Sequence, residues 1–66
     1  MELYVVDVEI LEPPGGGPAI ARRKFLVSAS NPIEAQKTAF NTIGDEFDGK
    51  EIGKVCKSCE EVNAWW

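Results

Sequence analysis

The segment 25–35 constrains the fold most, because an alternating pattern ends in it and a helix signal begins. Phe25, Val27 and Ala29 recur at the two-residue period of a strand with one buried face. Asn31 is a favourable N-cap residue, and Pro32 follows at the first helical position, where its missing backbone N–H costs nothing. The sequence therefore predicts a strand that passes directly into a helix.

The predicted helix carries an apolar stripe at spacings of three and four residues, the pattern of a helix that packs with one side on a sheet. The stripe comprises Ala35, Ala39, Phe40, Ile43 and Phe47. Because Gly44 either caps the helix or lies in its last turn, we expect the helix to end between Gly44 and Phe47.

Two strands are predicted to precede the helix as a hairpin. Residues 2–11 form the first, and the second runs from about residue 19 to residue 29, with the proline- and glycine-rich loop 12–18 between them. The better core face of the first strand consists of Tyr4, Val6, Val8 and Ile10. Core faces match if opposed residue numbers sum to an odd number, and a sum of 31 pairs Val6 with Phe25, Asp7 with Lys24 and Glu9 with Arg22.

A third strand is expected after residue 51, because a two-stranded hairpin is too narrow to bury the apolar stripe of the helix. Its alternation is irregular, which indicates a bulge or tight turn near Ser58 and leaves room for a short fourth strand ending at the tryptophans. We predict one α+β domain, 1–66, with ββαβ or ββαββ order and an antiparallel sheet covered on one face by one helix.

Composition limits the class of partner. The chain has 66 residues and a net charge of −4, with 44% apolar and 27% charged residues, as in ordinary globular domains. It contains no run of the ~18 apolar residues that span a membrane, and no signal-peptide pattern. We therefore expect an acidic, cytoplasmic protein without a membrane partner. Nucleic acid is a disfavoured partner, because duplex-binding domains of this size carry a basic surface.

Cys56 and Cys59 are the residues best suited to chemistry, either as metal ligands or as redox-active thiols. A closed zinc site needs about four ligands, and the chain has no histidine and only these two cysteines, so zinc binding requires a site shared between two chains. A redox role needs a thiol of lowered pKa, commonly at a helix N-terminus, whereas this pair follows the helix. One hypothesis is that the pair has a metal-binding or redox function. The other is that the two cysteines are small, half-buried residues of an irregular strand and carry out no chemistry.

Other site patterns are incomplete. Without histidine, Ser-His-Asp and Cys-His arrangements cannot form, and we predict that the protein is not an enzyme. The loop 12–18 leads towards a strand and lacks the Lys-Ser/Thr ending of a nucleotide-binding loop. The acids around Gly49 do not have calcium-loop spacing. No cofactor is expected.

Trp65 and Trp66 form an aromatic pair at the end of the sequence. Either one of them is exposed and anchors a protein partner or a second copy, or both pack along the domain's own edge. The leading hypothesis is thus a non-catalytic binding or accessory protein, of the type that phages and mobile elements encode, acting by protein–protein contact. A homodimer through a free sheet edge and the tail is one form of it. A weaker alternative is a single-stranded nucleic-acid binder that uses Arg22, Arg23, Lys24 and the aromatic residues.

Overall fold

The computed structural model describes residues 1–62, which form a three-stranded antiparallel sheet and one helix. The strands are β1 (Glu2–Leu11), β2 (Ala19–Ala29) and β3 (Gly53–Val62), and α1 (Pro32–Glu46) connects β2 to β3. In space the order is β2-β1-β3, so β1 is central. The predicted ββαβ order is confirmed. β3 continues to Val62 as one strand, and the place where a fourth strand would end lies outside the described residues.

The register of the hairpin follows from the alternation of its two strands. β1 and β2 pair with residue numbers that sum to 31 from Glu2↔Ala29 to Ile10↔Ala21, as predicted. The register shifts only beyond Ile10, where Leu11 faces Ala19. Even-numbered residues of β1 and odd-numbered residues of β2 therefore share one side of the sheet, the side on which α1 packs.

The helix begins where its capping signals place it. Asn31 has extended backbone geometry, and its side-chain oxygen accepts a hydrogen bond from the N–H of Glu34 at 2.9 Å. This bond satisfies one of the N–H groups that the first turn leaves without a helical partner. The helix ends at Glu46, and Phe47 closes it by donating its N–H to the Ile43 carbonyl. Both ends agree with the predictions.

The core lies between α1 and the even-numbered residues of β1. Ile10, Ile43, Val6 and Val8 are its largest fully buried side chains. Its other members are Tyr4, Val27, Ala29, Ala35 and Ala39, with Phe25, Phe40 and Phe47 partly buried against it. Small residues on the inner side of the helix allow it to approach the sheet closely. Within residues 1–62, the helix is neither long nor apolar enough to cross a membrane.

Candidate functional site: the open sheet face and the cysteine pair

A bulge in β3 decides where the two cysteines point. Ser58 pairs with Asp7 and Cys56 pairs with Val8, so Lys57 has no partner on β1. Cys59 pairs with Val6. Residues three apart in a regular strand point to opposite faces, but the extra residue restores the parity. Both thiols consequently lie on the side of the sheet that faces α1, and the irregularity predicted near Ser58 is confirmed.

Both cysteine side chains are partly buried against the hydrophobic core. Cys56 Sγ lies 3.4 Å from the Ser58 carbonyl oxygen, and Cys59 Sγ lies 3.8 Å from the carbonyl oxygen of Pro32 at the start of the helix. Burial is the main cause that raises the pKa of the Cys56 thiol. A raised pKa keeps the less nucleophilic protonated form at neutral pH. Both cysteines are free, and residues 1–62 contain no cluster of three or more metal-ligating side chains.

The opposite side of the sheet, which we call the open face, is not covered by any element of residues 1–62. It carries the odd-numbered residues of β1 and the side chains paired with them on β2 and β3. At one end four apolar side chains are cross-strand or same-face neighbours and form what we call the apolar corner. They are Leu3, Val5, Leu26 and Val62. Leu26 is 61% exposed.

The centre of the open face is charged and organised around Asp7. Arg22 Nε donates to Asp7 Oδ1 at 3.0 Å and Arg22 Nη2 donates to Oδ2 at 2.8 Å, a two-pronged contact. These hydrogen bonds are the main cause that lowers the pKa of Asp7; the charges of Arg22, Lys24 and Lys57 act in the same direction, and burial opposes them. Asp7 is buried although its face is open, since the flanking strands and Arg22 surround it.

The partners of the basic triplet differ from the predicted ones. Arg22 bonds diagonally to Asp7 rather than to Glu9, which lies directly opposite it. Arg23 points to the helix side, where it bonds Glu46 with a shortest distance of 2.6 Å and lies 5.7 Å from the centre of the Phe47 ring. Neither of the two ion pairs within residues 1–62 involves Lys24. Lys24 is thus the cation of the triplet that remains available for an outside partner.

The glycine-proline loop closes on itself. Glu12 donates its N–H to the Pro18 carbonyl at 3.2 Å, and Gly17 donates to the Pro13 carbonyl at 3.1 Å. A Cβ at Gly17 would lie 2.3 Å from the backbone of Glu12, so only glycine fits there. These two hydrogen bonds and the exit into β2 make the loop a hairpin connection between β1 and β2.

Of the two pairs of predicted site residues, the structure describes only the cysteines. Cys56 and Cys59 are brought to the same side, whereas Trp65 and Trp66 lie outside the described residues. The apolar corner was not predicted as a site. Its sequence signal was the occurrence of Leu3 and Val5 at odd positions of β1, which also places apolar residues on the face that the helix does not cover.

Comparison with models of protein families, with curated proteins and with solved structures finds no match for this chain.

Proposed function

We propose that this protein is a non-catalytic binding module that acts by contact with another protein, and that the β2 side of the open face is its contact surface. The observation that supports this most is the exposure of Leu26, which is 61% accessible beside Val5 on a face with no covering element in residues 1–62. Leu26 is the exposed member of the apolar corner, whose other three side chains are half-buried, and an apolar patch that a domain leaves uncovered is typical of an interaction site.

The charge distribution favours a protein partner. The open face carries Arg22 and Lys24 from β2 and the carboxylates of Asp7, Glu9 and Glu60, and the charge of Lys57, the unpaired residue of the bulge, also acts on Asp7. Three cations and three carboxylates thus lie on or next to this face, although the whole chain has seven basic and eleven acidic residues. The excess negative charge of the chain therefore lies elsewhere, and this face can approach another acidic protein without net repulsion.

The same arrangement weakens the nucleic-acid alternative. Arg22 and Arg23 are bonded to carboxylates, and Phe25 is partly buried against the core. Single-strand binding requires free cations and exposed rings for base stacking. Of the basic triplet only Lys24 makes no ion pair, and every aromatic side chain within residues 1–62 is buried or half-buried.

Site-specific photo-crosslinking in cells that naturally produce the protein tests the proposal. A photoreactive phenylalanine analogue replaces Leu26 in one variant and Lys37, on the exposed side of α1, in a matched control. We expect a discrete protein adduct from position 26 and none from position 37. Equal adducts from both positions, or none from position 26, would contradict the proposal. Adding Leu26→Thr to a neighbouring photoreactive variant at Ser28 should reduce the yield about tenfold, because burial of the leucine contributes about 1–2 kcal/mol.

A further inference from the structure

We propose that the free edge of β2 is a docking site for an extended acidic segment of a partner protein, which joins the sheet as a fourth strand. This inference rests on the proposed protein-contact function and specifies the partner. Within residues 1–62, β2 has a hydrogen-bonded neighbour on one side only, β1. An edge strand presents alternate backbone N–H and C=O groups that an added strand can pair with.

The two edges of the sheet are not equivalent. β2 pairs with β1 without interruption from Ala21 to Ala29 and contains no proline or glycine. β3 is broken by the bulge at Lys57, and bulges are a common device that prevents further pairing. The regular edge is therefore that of β2.

The charge of β2 selects the chemistry of the added strand. β2 carries three of the seven basic residues of the chain and no acidic one. Cross-strand pairs of opposite charge are favourable and like pairs are unfavourable, by about 0.2–1 kcal/mol each. A carboxylate opposite Lys24 is preferred most, because Lys24 makes no ion pair within residues 1–62, whereas Arg22 and Arg23 already bond Asp7 and Glu46 and mainly disfavour a cation opposite them.

A second copy of β2 fits this edge poorly. Lys24 is the central residue of Ala19–Ala29, so full antiparallel overlap of two β2 strands places Lys24 opposite Lys24.

The apolar half of β2 determines the order of residues in the partner segment. Leu26 on the open face and Phe25 on the helix side prefer apolar neighbours, so an antiparallel partner segment has apolar residues followed by acidic ones.

Nuclear magnetic resonance titration of the full chain with a blocked synthetic peptide tests the inference. The probe has the sequence Ser-Val-Leu-Val-Glu-Asp-Glu-Ser, and its control has Lys-Arg-Lys in place of Glu-Asp-Glu. We expect saturable amide shifts along β2, at least tenfold weaker binding of the control peptide, and weaker binding at high salt. Equal affinity for both peptides, or shifts that map to β3 or α1, would overturn the inference.

Two charge-reversal variants complete the test. Lys24→Glu replaces a favourable cross-strand charge pair by an unfavourable one and should weaken binding of the acidic peptide about tenfold. Lys37→Glu, the same charge change on the exposed side of the helix, should leave the affinity within twofold. Equal effects would mean that only net charge matters and would overturn the inference. A dimer detected by sedimentation, with concentration-dependent amide shifts that map to β2, would also overturn it. A specific crosslink from position 26 together with failure of the peptide would refute the acidic-strand inference and leave the protein-contact function standing.

Discussion

Deletion of Lys57 should leave the fold intact, although it removes a residue from the middle of a ten-residue strand. Lys57 is the one residue between Cys56 and Ser58, which pair with Val8 and Asp7, and it has no partner of its own. Once it is deleted, these two pairs become consecutive. Every remaining side chain of β3 then keeps its face, and the strand becomes regular.

The magnitude follows from two opposing contributions. Folding no longer orders the backbone of one unpaired residue, which saves about 1–2 kcal/mol. The loss of the Lys57 charge opposes this gain only weakly, because the hydrogen bonds from Arg22, and not the charge of Lys57, are the main cause that lowers the pKa of Asp7. We expect the free energy of unfolding to equal the parent value or to exceed it by up to about 2 kcal/mol. For a domain of this size the total is about 3–10 kcal/mol.

Deletion of Val55 is the matched control, because it shortens the same strand by one paired residue. If the bulge remains, Lys54 changes face and loses the hydrogen bond that its Nζ donates to the Phe40 carbonyl at 3.2 Å. If the bulge is lost, Lys57 takes the helix-facing place of Cys56. Either rearrangement should cost about 1–3 kcal/mol more than deletion of Lys57. Urea denaturation followed by circular dichroism measures both variants, and equal destabilisation by the two deletions would refute the assigned bulge.

Three further predictions concern the cap, the central ion pair and the thiols. Asn31→Ala should lower the free energy of unfolding by about 1 kcal/mol, whereas Asn31→Asp, which retains an acceptor for the helix N–H, should lower it less; denaturant titration compares them, and equal losses would contradict the cap. Because the pKa of Asp7 is lowered in the folded state, its contribution is present above the unfolded pKa of about 3.9 and is lost as the pH falls through the folded pKa. Asp7→Asn should therefore flatten the fall in stability below about pH 4, and an unchanged slope would show that the Arg22 contact contributes nothing. Cys56 should react slowly with a thiol reagent at pH 7, and the unfolded chain should show two free thiols; rapid native reaction of Cys56, or about half an equivalent of zinc per chain, would instead support the redox or metal hypothesis.

The fold could be predicted because its signals are local and agree with one another. Alternation in β1 and β2 assigns each residue to a face, and matching those faces restricts the register to odd sums. The cap at Asn31 and the stripe from Ala35 to Phe47 then fix the start and the inner side of the helix. None of these steps requires knowledge of a distant contact, apart from the pairing of the two strands.

The features that were not predicted depend on geometry between elements. Asp7 and Glu9 both lie on β1, and the Arg22 side chain is long enough to bond the diagonal Asp7 instead of Glu9 directly opposite. The strand register alone does not decide between these two partners. A bulge near Ser58 was expected, but counting residues cannot tell which one is unpaired, and that choice decides whether Cys56 and Cys59 share a face. The apolar corner combines residues from all three strands, so it becomes visible only after the strands are paired.

The uncovered face and the free edge are connected consequences of building a domain from one sheet and one helix. Within residues 1–62, the helix buries one side of β1 and leaves Val5 and Leu26 on the other. A strand added beside β2 would pair the free backbone groups of the edge and also place its own side chains next to Leu26 and Lys24. One extended segment can thus satisfy the polar edge and cover part of the apolar corner, which neither a flat protein surface nor a nucleic acid would do. This combined requirement is why Lys24→Glu and Leu26→Thr should weaken the same complex.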